Sequence, residues 1–390
     1  MSVDPAWALD PEVRHLNHGS FGACPRPVLE AQTRIRAEAE RNLMAFYARG
    51  LEARLDAARE PLARFLGACP EDLAFVPNAS YGASCVLRSL RFEPGDEVLV
   101  THHGYNGVRT ALDYVLGRAG ARRVVAEVPF PLERPEQVVE AVLACVGPRT
   151  RLAVLDWVTS PTALVLPVND LVAALEERGV DVLIDGAHAP GMVEVDLDRL
   201  GAAYFTGNAH KWLCAPKGAA VLHVRRDRQE GIVPLVVSHG YDASLAGRSR
   251  FQRLFDWQGT DDPSAFLALP AALDFLGSLL PGGWKELRAR NHALAVEARE
   301  ILCAALGCTP PAPPSLLGSM AAVPLPRHPL LPERPGRRTP LQEALSAQGF
   351  EVAVVPFPAA PDYLLRVSAQ AYNRREDYEA LAAALKELLS

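Results

Sequence analysis

The apolar positions of the chain follow two different periods. Residues 28–66 repeat apolar side chains at the spacing of an amphipathic helix. Beyond them, short β-branched runs alternate with helical stretches of about ten residues. Strands are predicted at 97–100, 123–126, 151–156, 181–184 and 219–224, and helices at 107–119, 135–145 and 169–178. This alternation predicts an α/β fold, with βαβ units and a buried, mainly parallel sheet flanked by helices.

The pattern changes near residue 262. A helical stretch over 264–306 is followed by a proline-rich segment at 309–314, strands at 320–325 and 364–368, and a closing helix at 374–389. Between the last two strands, the proline- and arginine-rich segment 326–340 predicts a surface loop. We therefore expect a large domain of residues 21–261 and a small α+β domain formed by residues 1–20 and 262–390.

Composition narrows the class of protein. The 390 residues include 40 basic and 46 acidic side chains, and the net charge of −6 provides no electrostatic footprint for nucleic acid. No apolar run approaches the ~20 residues that cross a membrane, and the first residues lack the pattern of a secretory signal. The 7 cysteines are scattered without CxxC spacing, which indicates reduced thiols. We expect a soluble cytoplasmic protein without a nucleic-acid or membrane partner.

Lys211 is one of only four lysines in a chain that otherwise uses arginine. Arginine cannot deprotonate or form an imine in a protein, whereas lysine can. Upstream, Asp185 ends a predicted strand, and an aspartate beside a pyridine nitrogen keeps that nitrogen protonated, so that the ring accepts the electrons of a carbanion. The pair is typical of a pyridoxal-phosphate enzyme. A surface lysine and a helix-capping aspartate are the alternative interpretations.

Several other polar residues fall at predicted strand ends, where ligands collect in parallel α/β sheets. They are His102, His103, Ser160, Asp185 and His188. A metal site that uses His103, Asp185, His188 and His210 is an alternative, but no further ligand has suitable spacing. The chain has neither a dinucleotide-binding nor a P-loop glycine motif.

A phosphate site is predicted at Asn78-Ala79-Ser80, just before a helix expected to begin near Tyr81. The N-terminus of a helix offers free N–H groups and a partial positive charge to an anion. A simple helix cap is the alternative interpretation of the same three residues.

Six segments resemble the class V aminotransferase family of fold-type-I pyridoxal-phosphate enzymes. They are Leu16–Gly22, Ser160–Pro167, Ile184–Gly191, His210–Gly218, Gln258–Asp261 and Leu365–Ser368. Within the family, the chain most resembles the branch of isopenicillin N epimerase-like and hercynylcysteine sulfoxide lyase-like proteins. The resemblance implies a seven-stranded sheet, a pyridoxal 5'-phosphate cofactor and an amino-acid substrate. Two residues depart from the family, since Ala163 replaces a usual glycine and Asn208 a common serine or glycine, and both changes imply local differences.

The resemblance implies catalytic and ring-binding roles for matched residues. Lys211 is similar to the Schiff-base lysine and Asp185 to the partner of the pyridine nitrogen. His103 resembles the imidazole that stacks on the ring, and His188 and Ser160 match positions near its phenolic oxygen.

Other matched residues are implied to bind the phosphate and the substrate. The implied phosphate contacts are Ala79, Ser80, Asn208 and His210, together with Thr260 from a neighbouring subunit, which implies a homodimer. Arg366 matches the bidentate anchor of the substrate α-carboxylate, a role that suits a planar guanidinium. Asn17 is a further candidate for substrate binding.

The reactions of such enzymes share their first step, in which Lys211 removes the α-proton. An epimerase then needs a second acid, for which Tyr105 is the candidate, whereas a C–S β-lyase expels a sulfur leaving group and releases pyruvate. An aminotransferase reprotonates the cofactor, and a cysteine desulfurase needs a mobile-loop cysteine that 326–340 lacks. A cofactor-sensing regulator needs a DNA-binding module, for which no spare segment is long or basic enough. We expect an epimerase-like enzyme acting at the α-carbon of an amino acid or amino-acid conjugate, with the C–S lyase as the alternative.

Overall fold

The computed structural model describes residues 6–242, 247–334 and 336–390. Residues 1–5 of the predicted small domain and Pro335 of the predicted loop lie outside the described residues. The described strands are, in chain order, β1 (Arg14–His15), β2 (Leu73–Val76), β3 (Glu97–Thr101), β4 (Arg122–Ala126), β5 (Thr150–Asp156), β6 (Asp181–Asp185), β7 (Tyr204–Asn208), β8 (Ala220–Val224), β9 (Met320–Pro324), β10 (Phe350–Glu351), β11 (Ala353–Pro356) and β12 (Tyr363–Ser368).

A seven-stranded sheet forms the centre of the large part of the molecule. Its order is β2-β8-β7-β6-β5-β3-β4. The run from β4 to β7 is parallel, and β8 runs antiparallel to both of its neighbours, β2 and β7. Helices cover both faces, and an apolar core lies on each. The predicted fold class, with a mainly parallel sheet of seven strands, is confirmed.

The helices follow the predicted pattern with two local differences. The described helices are α1 (His18–Phe21), α2 (Arg26–Arg41), α3 (Leu51–Leu66), α4 (Ala79–Ser89), α5 (Asn106–Ala119), α6 (Glu136–Leu143), α7 (Val168–Glu176), α8 (Leu197–Leu200), α9 (Arg250–Asp256), α10 (Ser264–Leu267), α11 (Leu269–Ser278), α12 (Gly283–Leu306), α13 (Pro340–Ala347) and α14 (Arg375–Leu388). The predicted helical region 28–66 is divided by a π-helical turn at Met44–Gly50. The predicted stretch 264–306 is three helices. It is interrupted at Ala268 and again between Ser278 and Gly283, where Pro281 lacks an amide donor and Gly283 adopts a φ of 61°.

The C-terminal part is built around a three-stranded antiparallel sheet of order β11-β12-β9. Helices α12 and α14 pack against one another beside it. Strand β1 pairs in parallel with β10, so the N-terminal segment joins this part of the fold. Helices α10 and α11 pack instead on α2 and α3. The boundary between residues 261 and 262 stays a prediction.

The topology brings three strand ends together. Asp156 ends β5 and Asp185 ends β6, and the two residues are register partners on neighbouring parallel strands. Asn208 ends the next strand, β7. Because parallel strands end at the same edge of a sheet, these polar side chains share one crevice.

We also compared the helices with the requirements of a membrane span. No single helix in the described ranges is long and apolar enough to cross a membrane. Ser264–Ser278 and Gly283–Leu306 meet the length and composition test only as a pair, and that pair is bent by 71°.

Candidate active site

A cavity of about 160 Å³ lies at the carboxyl ends of β5, β6 and β7. It brings together nine of the residues predicted from the sequence: Ala79, Ser80, Tyr105, Ser160, Asp185, His188, Asn208, His210 and Lys211. Its wall also contains Asn78 of the predicted phosphate segment, and Ser20 and Asp156, which the sequence interpretation did not assign to the site. Segments far apart in the chain therefore converge on Lys211.

Lys211 lies on the loop after β7, with its side chain buried against the cavity. Its Nζ is 3.2 Å from His188 Nε2, and in the described part of the chain it has no ion pair with a carboxylate. Burial, followed by the nearby charge of Arg366, lowers the pKa of Lys211 to about 8. About a tenth of this amine is therefore uncharged at pH 7, and the uncharged form is the nucleophile.

Two buried carboxyl groups lie side by side at the floor of the cavity. Asp185 Oδ1 accepts the Ala187 N–H at 3.0 Å, and Asp156 Oδ1 accepts the Tyr105 N–H at 3.3 Å. Burial raises the pKa of both carboxyls, and the neighbouring charge of Asp185 raises that of Asp156 further. Asp156 is the last residue of a predicted strand, the same signal that pointed to Asp185, and that signal could have identified it.

Two histidines line the same wall. His188 contacts Lys211 through Nε2, and its Nδ1 accepts the indole N–H of Trp212 at 3.3 Å. His210 contacts the carbonyl of Ala219 through Nδ1 at 3.1 Å, and burial lowers its pKa to about 4. Burial also lowers the pKa of His188 well below the usual range. Both rings are therefore neutral at physiological pH, a state in which each has one donor and one acceptor nitrogen.

Helix α4 begins at the cavity, two residues earlier than predicted. Asn78 is its N-cap, and its side-chain oxygen accepts the Tyr81 N–H at 2.9 Å. The Ala79 N–H donates to Asn208 Oδ1 at 2.8 Å, so the first residue of the helix is tied to the end of β7. The exposed Ser80 thus lies at a helix N-terminus that opens into the cavity, where an anion is stabilised.

Arg366 lies in β12, behind the cavity wall, and is only 4% exposed. Its Nη1 donates to the carbonyl and the hydroxyl of Ser160, at 2.6 and 3.1 Å. Its Nη2 donates to Asn17 Oδ1 and Ser20 Oγ, at 3.1 and 2.9 Å. Its Nε has no partner among the described residues, and burial lowers the pKa of Arg366 to about 10. Asn17 therefore contacts Arg366 and does not line the cavity itself.

His103 is held by contacts outside the cavity wall. The ring is fully buried, with Nδ1 2.7 Å from Thr162 Oγ1 and Nε2 3.3 Å from the carbonyl of Val128. It packs against Phe130 and Phe357 and does not line the cavity with Lys211. The stacking of His103 on the cofactor ring stays a prediction, and in the described chain both ring nitrogens contact other groups. Two residues later in the chain, Tyr105 lines the cavity and is 45% exposed.

Thr260 also lies away from Lys211 in the described chain. It is exposed and lines a second cavity, of about 300 Å³, together with Tyr47 and Tyr81. Within one subunit it therefore does not contribute to the wall around Lys211.

The alanine that departs from the family pattern adopts an unusual backbone conformation. Ala163 has a φ of 58°, in the left-handed region that costs a residue with a side chain about 1–2 kcal/mol. The turn therefore keeps the backbone conformation that favours glycine, although the alanine in place of the family's glycine had implied a local difference there.

The chemistry of the cavity suits pyridoxal phosphate. It combines a buried amine at Lys211, a buried carboxyl at Asp185 and a helix N-terminus at Ser80, and these three match the aldehyde, ring nitrogen and phosphate of that molecule. In the described ranges, no group of three or more histidine, cysteine, aspartate or glutamate side chains is arranged to hold a metal ion. The residues present therefore fit the cofactor.

Comparison with known proteins agrees with this chemistry. The profile of the family described as "Aminotransferase class-V" matches residues 24–381. The chain is 38% identical to isopenicillin N epimerase of Amycolatopsis lactamdurans, over 99% of each chain. It is 34% identical to a putative L-cysteine desulfhydrase 1 of Oryza sativa subsp. japonica, over 97% of this chain and 83% of that protein.

A solved structure has the same fold. A mutant of the cystine C–S lyase C-DES, with glycine covalently linked to its pyridoxal-phosphate cofactor, superposes with a TM-score of 0.78. The two chains are 22% identical, over 97% of each. The family profile and these relatives together account for nearly the whole chain, and we conclude that the protein belongs to the class V aminotransferase family and is a pyridoxal-phosphate-dependent enzyme.

Proposed function

We propose that the protein acts at the α-carbon of an amino acid or amino-acid conjugate and inverts its configuration. The observation that carries the proposal is that Lys211 and Tyr105 line one cavity, so that a buried amine and a phenol can both reach the same substrate carbon. The isopenicillin N epimerase relative supports the same reaction type.

The residues that would hold the cofactor are those of the cavity wall. Lys211 would bind it covalently, and Asp185 would contact the ring nitrogen. His188 and Ser160 would contact the phenolic oxygen, and the phosphate would lie at the N-terminus of α4 with Ser80, Asn208 and His210. When bound, the cofactor supplies an electron sink that stabilises negative charge at the α-carbon.

Proton transfer is the task of two side chains in this proposal. The amine of Lys211 removes the α-proton, which its lowered pKa permits near neutral pH. Tyr105 lies at the mouth of the cavity, and its hydroxyl donates a proton to the α-carbon from the other side.

Arg366 would orient the substrate by its α-carboxylate. Its Nη1 and Nη2 already donate to Ser160, Ser20 and Asn17, while its Nε–H has no partner in the described chain. A carboxylate that binds through Nε and Nη2 must therefore displace Ser20 or Asn17 from Nη2. In this arrangement Asn17 holds the guanidinium before the substrate arrives.

C–S β-elimination is the second candidate. Relatives named as L-cysteine desulfhydrases are 30–34% identical to the chain. None of the described cysteines lines the cavity, so no thiol is placed to accept sulfur as a persulfide. This arrangement favours release of sulfide or a thiol over transfer of sulfur to the protein.

The test is to follow the α-carbon and the products together. The enzyme is incubated in D2O with L- and D-amino acids, L-cysteine and S-conjugates of L-cysteine, and α-deuterium, chirality and pyruvate are measured. We expect deuterium with inversion and little pyruvate, whereas pyruvate with sulfide or thiol would establish the second candidate. Tyr105→Phe should keep α-deuteration but lose inversion. Absence of α-deuterium and pyruvate with every substrate would overturn both candidates.

We further propose a homodimer in which Thr260 completes the phosphate site of the neighbouring subunit. Its exposed position in a separate cavity supports this assignment. Differently tagged Lys211→Ala and Thr260→Ala chains are mixed, and the mixed dimers are isolated. If Thr260 acts across the interface, one site of each mixed dimer is intact and activity returns. If it acts within its own chain, both sites are damaged and the mixed dimer stays inactive.

A further inference from the structure

A short hydrogen-bonded chain runs from a buried indole to the reactive amine. Trp212 Nε1 lies 3.3 Å from His188 Nδ1, and His188 Nε2 lies 3.2 Å from Lys211 Nζ. Trp212 and His188 are almost completely buried, at 2% and 3% exposure. Water therefore does not compete for these contacts, and the protons along the chain are arranged by the protein itself.

The indole decides which nitrogen of His188 carries the proton. The indole N–H is a donor only, so His188 Nδ1 must accept. A neutral imidazole has one N–H, which is therefore on Nε2. The opposite tautomer would direct two N–H groups at each other across 3.3 Å.

The tautomer of His188 in turn acts on Lys211. An Nε2–H that points at Nζ needs a lone pair there, and only the uncharged amine has one. An ammonium group would instead place its protons against the Nε2–H. The chain of contacts therefore favours the free amine.

Other groups around Lys211 also affect its charge, some favouring the charged amine and others the uncharged one. Burial and Arg366 on β12 disfavour the charged amine, whereas Asp185 on β6 and Asp156 on β5 favour it. His188, His210 and Tyr105 also line the cavity. The carboxyls are buried but form no ion pair with Nζ in the described chain. In the described chain, the contact with His188 is thus the direct polar contact of the amine. Which of the two nitrogens donates the hydrogen therefore matters most for the charge of Lys211.

We propose that Trp212 is a positioning residue, which fixes His188 as its Nε2–H tautomer and thereby favours the uncharged form of Lys211, the form that binds the cofactor. The proposal deepens the assignment of Lys211 and His188 to the cofactor site, and rests on it. It gives the tryptophan of the His210-Lys211-Trp212 segment a role in proton placement as well as in packing. It does not depend on whether the enzyme epimerises or eliminates.

The first test measures the tautomer directly. The full-length protein, with and without cofactor, is labelled with ¹⁵N-histidine, and the resonances of His188 are assigned by their loss in His188→Gln. We expect a protonated Nε2 and an unprotonated Nδ1 in both forms. A protonated Nδ1, or an averaged signal from two tautomers, would overturn the proposal without any need for a tryptophan variant to fold.

The second test measures the consequence for Lys211. The cofactor-free protein is labelled with ¹³C-lysine, and the chain's four lysines allow Lys211 to be identified by its loss in Lys211→Arg. In Trp212→Phe, His188 can adopt the Nδ1–H tautomer and accept a hydrogen bond from the Lys211 ammonium through Nε2, so the pKa of Lys211 should rise by about half to one pH unit.

Trp7→Phe is the matched control. Trp7 is also buried, but its indole N–H has no hydrogen-bond partner among the described residues. Its substitution should leave the pKa of Lys211 unchanged. Equal shifts in the two variants, or none in Trp212→Phe, would refute the role of Trp212. Both tests measure the protein itself and not its reaction. They can therefore fail while the reaction assay succeeds, or succeed while the reaction assay fails.

Discussion

Two buried clusters of charged residues in this molecule are built in opposite ways. In the ion cluster of Arg59, Arg248, Asp56 and Asp256, each guanidinium contacts at least two carboxylates. Around Lys211, the amine, the carboxyl of Asp185 and the guanidinium of Arg366 lie close together without forming an ion pair among the described residues.

The difference between the two clusters suggests different tasks: the paired ion cluster stabilises the fold, and the unpaired groups around Lys211 serve the chemistry. A buried charge without an opposite partner costs free energy, and the protein tolerates that cost where a shifted pKa is useful. Paired buried charges instead hold segments together. When one partner is lost, the other becomes a buried charge without an opposite partner, which costs free energy. Substitutions in the ion cluster should therefore change folding, and those around Lys211 should change activity.

The largest expected effect is on activity, in Lys211→Ala. The variant should fold as stably as the parent, because no ion pair is lost, while turnover falls to the background of the assay. Borohydride reduction followed by peptide mapping should find the cofactor on Lys211 in the parent and on no residue in the variant. An adduct on Lys217 would contradict the assignment.

Asp185→Ala should separate catalysis from binding. The phosphate contacts and the covalent link remain, so much of the cofactor should stay bound. Activity should fall more than cofactor content, because catalysis needs the carboxyl beside the ring nitrogen. Turnover is compared with cofactor content measured after denaturation. Near-parental turnover with bound cofactor would show that Asp185 does not serve the ring.

Asp256→Ala tests the opposite side of the comparison. Asp256 is itself only 5% exposed and pairs with Arg59 and Arg248, so its removal breaks ion pairs in which both partners are buried, which should cost about 3–5 kcal/mol of unfolding free energy. Urea denaturation at neutral pH measures this loss. Asp56→Ala is the control, because that side chain is 44% exposed and its loss should cost at most about 1 kcal/mol. Equal losses in both variants would show that burial does not set the difference.

Arg366→Lys keeps a positive charge but loses the planar bidentate contact. A charged hydrogen bond of about 1.5–3 kcal/mol corresponds to a fall of roughly 10- to 150-fold in kcat/KM. The visible absorbance of the bound cofactor should not change. If the variant loses cofactor instead, or uses amino acids as well as the parent does, Arg366 has a structural role.

The smallest effect is a pH dependence. Burial lowers the pKa of Lys211 to about 8, so the uncharged fraction, and with it the rate of covalent cofactor uptake, should rise with pH. Between pH 7 and 8 the increase should be about fivefold, and it should level off above pH 9. The rate is measured on cofactor-free protein by borohydride trapping. A flat profile over this range would contradict an uncharged Lys211 as the reacting form.

Much of the fold could be predicted from the sequence because its elements carry strong periodic patterns. Strands β3, β5 and β6 begin and end within one residue of their predicted ends. The stretch 264–306 was harder, because apolar periodicity continues across the prolines and glycines that bend it. The antiparallel direction of β8 depends on its neighbours and leaves no mark in its own residues.

The sequence pointed to Lys211 as one of only four lysines and to Asp185 as the end of a predicted strand, and both line the cavity. Asp156 gives the same signal and was missed because no motif accompanies it. Trp212 was seen as part of a motif, but its contact with His188 links residues 24 positions apart. The bonds of Arg366 to Ser160 and Asn17 span 206 and 349 positions, and no local pattern records them.

The sequence by itself therefore determined the family, through the resemblance of its motifs, and the order of the elements, through periodic patterns, and it predicted an amine and a carboxyl that line the cavity. Only the tertiary structure decided that Tyr105, and not His103, lies at the cavity. In a turn, packing against distant groups such as Phe357 sets the direction of a side chain, and hydrophobic periodicity carries no information about it. The protonation of Lys211 was likewise decided by folding, because the free energy of a buried charge depends on every group packed around it.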